Sequence, residues 1–191
     1  DITSQDTAAV NFVFNNDGTK MYVSGYSTQA IYQYSLSTAY DLSTASYDSV
    51  SFSVSSQATG SSGLAFNNDG TKLYVVGYTE DSVFEYVLST AFDLSTASYN
   101  SVSFSVVSQD SEPYQMSFND DGTKMFVIGN STDSVYQYSL STAFDLSTAS
   151  YDSVSFSVTS QEASPYAFTF GADGTKMYVV GATNDTVYQY T

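Results

Sequence analysis

All the positive side-chain charge in this chain sits on four lysines, Lys20, Lys72, Lys124 and Lys176, with no Arg or His beside them. Each lysine closes the same string, Asp-Gly-Thr-Lys, so repetition could gather four ammonium groups into an anion site. The same spacing sets each lysine near the carboxylate of its own turn (Asp17, Asp69, Asp121 or Asp173) and near the acidic connection further on. Exposed ion pairs of that kind contribute about 0–1 kcal/mol, and pairing is the simpler reading. The turns also invite comparison with calcium loops. Calcium takes about 6–8 oxygens in a loop of fixed spacing, and an Asn-Asp-Gly or Asp-Asp-Gly turn has neither the number nor the spacing. No metal and no other cofactor is expected.

A second group of candidates lies in the most variable stretches: Tyr26 to Ala30, Tyr78 to Ser82, Asn130 to Ser134 and Ala182 to Thr186. Tyr beside Asp or Asn suits a sugar, whose ring stacks on the phenol while its hydroxyls meet carboxylate or amide. The candidate ligand-binding residues are therefore Tyr26, Tyr78, Asp81, Asp133 and Asp185. The pattern is incomplete, because Asn130 and Ala182 replace the tyrosine in two of the four stretches. Asn130-Ser-Thr132 and Asn184-Asp-Thr186 also fit the glycosylation sequon.

Composition narrows the classes. The 191 residues include 20 acidic ones, giving a net charge of −16. Such a surface repels phosphate, so nucleic acid is not an expected partner. Lack of Cys excludes a disulfide framework and a thiolate metal site. Lack of His removes the commonest general base and the commonest transition-metal ligand. Hydrophobic residues make up 42% and aromatic residues 16%, enough to build a core. No apolar run approaches the roughly 18 residues that a membrane helix needs, so membrane insertion is not expected.

The elements that position these residues repeat. Phe14-Asn-Asn-Asp-Gly-Thr-Lys20 returns unchanged at 66–72, as Phe-Asn-Asp-Asp-Gly-Thr-Lys at 118–124 and as Phe-Gly-Ala-Asp-Gly-Thr-Lys at 170–176, a period of 52 residues. Ser37–Val54 returns at Ser89–Val106 and Ser141–Val158, varying only at positions 40/92/144 and 48/100/152. One unit reads as four strands: a short first strand such as Gly63–Phe66, an Asp-Gly hairpin turn, Lys72–Val76, Ser82–Leu88, and Ser101–Val106 with strict Ser/apolar alternation. Asp41–Ser46 has room for one helical turn. Four antiparallel strands in about 40–50 residues is the spacing of a β-propeller blade. The fold class is all-β, a single β-propeller domain over 1–191, with repeats starting near residues 6, 58, 110 and 162. The paired aromatics Tyr32/Tyr34, Phe84/Tyr86, Tyr136/Tyr138 and Tyr188/Tyr190 share a strand face and are expected to fill the gaps between blades.

The strings Asp17–Gly25, Asp69–Gly77, Asp121–Gly129 and Asp173–Gly181 resemble the propeller repeats named after Tyr-Val-Thr-Asn, found in microbial surface-layer proteins and lactonase-like propellers. The fuller unit is similar to tandem repeats of secreted or virion-associated proteins of aquatic bacteria and their phages. The resemblance implies architecture and an extracellular, cell-surface or virion setting. Lactonase-like propellers use acidic, His and Arg groups, and this chain has neither His nor Arg. Asp6, Asp110 and Glu162 are the scattered carboxylates left at the mouth of the axis. The expectation is therefore a non-enzymatic structural or adhesive module, with a glycan-binding propeller as the alternative. The partners expected are glycans and further copies of the chain, through strand edges or symmetric assembly. Asp1 aligns with Ser53 in a fourth strand, and Thr191 falls after a third. The N-terminal stub Asp1–Ser4 is thus expected beside Tyr188 and Tyr190, closing a four-bladed ring; the alternatives are an excerpt from a longer array or completion by a strand from another chain.

Overall fold

The computed structural model describes every residue, Asp1–Thr191. Blade 1 comprises β1 (Ala9–Phe14), β2 (Lys20–Gly25), β3 (Ala30–Leu36) and β4 (Ala45–Ser53). Blade 2 comprises β5 (Ser61–Phe66), β6 (Lys72–Gly77), β7 (Ser82–Leu88) and β8 (Ala97–Ser105). Blade 3 comprises β9 (Pro113–Phe118), β10 (Lys124–Gly129), β11 (Ser134–Leu140) and β12 (Ala149–Ser157). Blade 4 has β13 (Pro165–Phe170), β14 (Met177–Gly181) and β15 (Val187–Tyr190). Every sheet is an antiparallel meander in chain order, and the four are disposed as propeller blades.

Local chemistry sets the turns. In the first hairpin the Asp carboxylate accepts from the backbone N–H of the Thr two residues on, as Asp69 does from Thr71 at 2.9 Å. The Asp41, Asp93 and Asp145 carboxylates likewise cap single 3-10 turns at Leu42–Thr44, Leu94–Thr96 and Leu146–Thr148. The fourth strands start earlier than the Ser/Val alternation indicates. A β-bulge falls between the pairs Gln33↔Val50 and Tyr34↔Tyr47, with Ser49 at φ 59°. Asp48 and Ser49 are left unpaired there, and the apolar positions change from 45 and 47 to 50 and 52, which hides the first half of the strand from a pattern search.

Blades stack through one recurring interface. Tyr22 and Ile31 of blade 1 pack against Leu64, Leu73, Val75 and Tyr86 of blade 2. Tyr74 and Val83 meet Met116, Met125, Val127 and Tyr138 in the same way, and Ile128 and Val135 meet Phe168, Met177 and Val179. Ring pairs Tyr22–Phe66, Tyr74–Phe118 and Phe126–Phe170 have centroids 4.7, 4.7 and 4.8 Å apart. The expected packing between blades holds for part of the paired strand aromatics: Phe52, Phe104 and Phe156 reach across to Tyr86, Tyr138 and Tyr190, whereas Tyr32 and Tyr34 pack on Tyr47 of their own blade.

The expected closure by the N-terminal stub does not occur. Ile2 packs with Met21, Val23 and Tyr34 on blade 1, and blade 4 keeps three strands. Ile2 aligns with Val54, which packs at the start of blade 2, so the stub follows the repeat's own register to its nearest apolar face. The end faces are uncovered. Leu42 is 59% exposed while its counterparts Leu94 and Leu146 are fully buried, and Val187 is 65% exposed.

Candidate functional site: a tyrosine-lined axial mouth

The first strands of the blades run along the axis. Strands β5 and β9 approach so closely that a Cβ on Gly63 would press on the Gln115 backbone. The ends of these strands and the loops between second and third strands frame a depression of about 480 Å³. Its lining is Val10, Asn11, Tyr26, Ser62, Tyr78, Tyr114 and Tyr166. Each blade supplies one tyrosine from one of two repeat positions. Blades 1 and 2 use the loop position (Tyr26, Tyr78), and blades 3 and 4 use the strand position that holds Val10 and Ser62 in the first two. Ring centroids lie 5.1 Å apart for Tyr78–Tyr114 and 4.6 Å apart for Tyr114–Tyr166.

Glu112 borders this cluster. Its Oε2 accepts from Asn130 Nδ2 at 2.9 Å, and its backbone N–H donates to Asp110 Oδ1 at 2.8 Å. Burial, and then the Glu112 carboxylate, push the Tyr78 hydroxyl above the usual phenol range. Burial and the neighbouring tyrosines do the same to Tyr114. Both phenols therefore stay protonated donors at neutral pH.

Tyr26 and Tyr78 thus share one depression. The other sequence candidates lie elsewhere. Asp81, Asp133 and Asp185 occupy left-handed positions at hairpin tips, with φ of 49°, 52° and 47°. The Asp81 and Asp133 carbonyls accept from Val106 and Val158 N–H at 2.8 Å, tying the hairpin to the end of the fourth strand. Asp6, Asp110 and Glu162 are buried clamps for the loops. Asp6 Oδ2 accepts from Thr28 N–H at 2.7 Å, Asp110 Oδ2 from Thr132 N–H at 3.0 Å, and Glu162 Oε1 from Thr183 N–H at 3.0 Å. Blade 2 has Ala58 there, and Glu80 reaches from the opposite loop to Thr59 N–H at 3.2 Å. Tyr114, Tyr166 and Glu112 were missed because their repeat positions hold unlike residues in other blades.

The lysines do not assemble an anion site. Lys20, Lys72 and Lys124 pair with Asp48, Glu85 and Asp152 at 3.8, 2.9 and 2.7 Å. They stand at the far end of the second strands, about 20 Å from the mouth at roughly 3.3 Å per residue.

No family model and no curated protein matches the sequence. Solved structures do match in fold. The chain is similar to a protein from Lactobacillus plantarum, with TM-score 0.66 at 14% identity over 95% of this chain and 50% of that one. It is similar to a Bacteroides fragilis protein proposed to be a 6-phosphogluconolactonase, with TM-score 0.67 at 13% identity over 95% and 49%. It is also similar to the periplasmic gluconolactonase of Pseudomonas aeruginosa, with TM-score 0.64 at 14% identity over 95% and 49%. The chain spans about half the length of these proteins. At these identities the likeness establishes the propeller frame. It also corrects the expectation of a non-enzymatic structural, adhesive or glycan-binding module. Two of these three propellers carry lactonase names, and none of the three is named as a surface-layer, filament or virion protein.

Proposed function

We propose that the axial mouth binds a neutral polyhydroxylated ring and that the chain hydrolyses an unphosphorylated sugar lactone there. The observation that carries this reading is the row of tilted rings Tyr78–Tyr114–Tyr166 with the Glu112 carboxylate at its border. Phenol faces stack on a sugar ring, and the hydroxyls meet its oxygens. Glu112 is the base: it takes a proton from water as that water adds to the lactone carbonyl. The protonated Tyr78 hydroxyl donates to the oxyanion, and Glu112 then returns the proton to the departing ring oxygen. A phosphorylated lactone does not fit, because the lysines are about 20 Å away and the chain carries net charge −16. The periplasmic neighbour supports a setting outside the cytoplasm.

The test is hydrolysis of glucono-δ-lactone and its 6-phosphate by the purified chain. Turnover of the first is expected, with Glu112→Gln lowering kcat by about 10²–10⁴ and Tyr114→Ala raising KM. Hydrolysis at no more than the spontaneous rate, or an unaltered E112Q variant, overturns the reading.

A further inference from the structure

Blade 2 differs from its neighbours in one buried layer. In blades 1 and 3 the third strand carries an amide and the fourth an acid: Gln33 Nε2 donates to Asp48 Oδ2 at 2.8 Å, and Gln137 Nε2 to Asp152 Oδ2 at 2.7 Å. Blade 2 exchanges them. Glu85 lies on β7 and Asn100 on β8, with Asn100 Nδ2 donating to Glu85 Oε1 at 2.7 Å. Lys72 Nζ, from β6, meets the same Oε1 at 2.9 Å. Glu85 is 2% exposed, so an amine and a carboxamide converge on one oxygen of a buried carboxylate. The other end of the carboxamide is engaged too. Val102 N–H donates to Asn100 Oδ1 at 3.3 Å, where Ser101 at φ 64° folds the bulge back. Lys72 Nζ also donates to the Phe144 carbonyl at 2.9 Å, which pins the amine from blade 3.

These are the parts of an acyl transfer: a nucleophile, a proton carrier, a carbonyl and a backbone donor on its oxygen. We propose that Lys72 and Asn100 condense into an intramolecular isopeptide cross-link, with Glu85 as the proton carrier. Glu85 takes a proton from the Lys72 ammonium, and the freed Nζ lone pair adds to Asn100 Cγ. Val102 N–H steadies the oxyanion. Glu85 delivers its proton to Nδ2, the Cγ–Nδ2 bond breaks, and the carbonyl re-forms. The departing ammonia takes the surplus proton from Nζ as ammonium, so no oxidant or other reagent is required. The bond ties β6 to β8 across β7.

The neighbouring blades do not reproduce the whole arrangement. Lys20 stands 3.8 Å from Asp48, beyond hydrogen-bonding distance. In blade 3, Lys124 Nζ and Gln137 Nε2 also share one oxygen, Asp152 Oδ2, each at 2.7 Å, but Ser139 donates to the other oxygen and no backbone N–H meets the Gln137 side-chain oxygen. The oxyanion that Val102 N–H steadies in blade 2 has no such donor in blade 3.

Intact-mass spectrometry of the purified chain decides the matter. A single loss of about 17 Da, one ammonia, is expected. Peptide mapping is expected to join the Lys72 and Asn100 segments, with no tryptic cleavage after Lys72. Lys72→Arg and Asn100→Ala each restore the full mass, and Lys124→Arg does not. Glu85→Gln also restores it; should that variant fail to fold, the Lys72→Arg and Asn100→Ala masses stand without it. Full mass in the unaltered chain after prolonged incubation, the outcome of a plain ion pair, overturns the proposal. So does a loss that maps to Lys20 or Lys124.

Discussion

Gly70 and Gly174 stand at equivalent turn positions with nearly the same backbone, φ 72° and 67°. Their surroundings differ. A Cβ on Gly70 would overlap the Phe92 ring, whereas a Cβ on Gly174 meets nothing within 4 Å. Both substitutions pay the left-handed strain of an L-residue, about 1–2 kcal/mol. Gly70→Ala must also displace a ring packed on Phe66, so we expect about 3 kcal/mol there against about 1 kcal/mol for Gly174→Ala, read by urea unfolding. Equal losses would show that the Phe92 ring is not held in place. The need for glycine was legible in Asp-Gly-Thr-Lys. The ring above it was not, since a constant spacing of 52 residues does not say which aromatic folds over which turn.

The fourth strand shows the same division one level up. Its alternating half was legible, because a period of two survives in Ser-Val-Ser-Phe-Ser. Its first half was not, because the bulge at Ser49, Ser101 and Ser153 shifts the register. What each strand is worth depends on its neighbour. Phe52 is half-buried against Tyr86, while Phe156 is exposed and touches only the outermost strand of blade 4 through Tyr190. We expect Phe52→Ala to cost about 2–3 kcal/mol and Phe156→Ala under about 1 kcal/mol, measured as shifts in the chemical-denaturation midpoint. A loss for Phe156→Ala as large as that for Phe52→Ala would mean that blade 4 is covered in solution.

Across the whole molecule, Tyr22, Tyr74, Tyr86 and Tyr138 are fully buried. Burial is the main cause that raises all four phenol pKa values well above 10, with nearby charges and tyrosines adding to it. An unfolded chain ionises its tyrosines near pH 10, the folded one later. Stability from these groups is therefore complete below about pH 10 and lost as pH rises beyond it. The turn carboxylates work in the opposite sense. Hydrogen bonds from Thr19, Thr71, Thr123 and Thr175 lower Asp17, Asp69, Asp121 and Asp173, so their contribution is lost as pH falls below about 4. A plateau in Tm between about pH 5 and 9, with loss on both sides, is the expected profile. Phenolate absorbance at high pH is expected to appear together with unfolding; full titration of the folded chain near pH 10 would contradict it.

The sequence alone determined the repeat, the four strands per unit, the turn glycines and the interleaved aromatics, because each is a local demand restated every 52 residues. It also placed Tyr26 and Tyr78 among the candidates. Only the tertiary structure decided what lies between repeats. The mouth draws one tyrosine per blade from two different repeat positions, so no single position shows a pattern. The exchange of Gln33/Asp48 for Glu85/Asn100 looks like drift in the sequence, and becomes a Lys–Glu–Asn contact only when β6, β7 and β8 are laid side by side. The stub chose blade 1 over blade 4 because its apolar side chain lay nearest that face. Distance between blades is a property of packing, and no spacing along the chain encodes it.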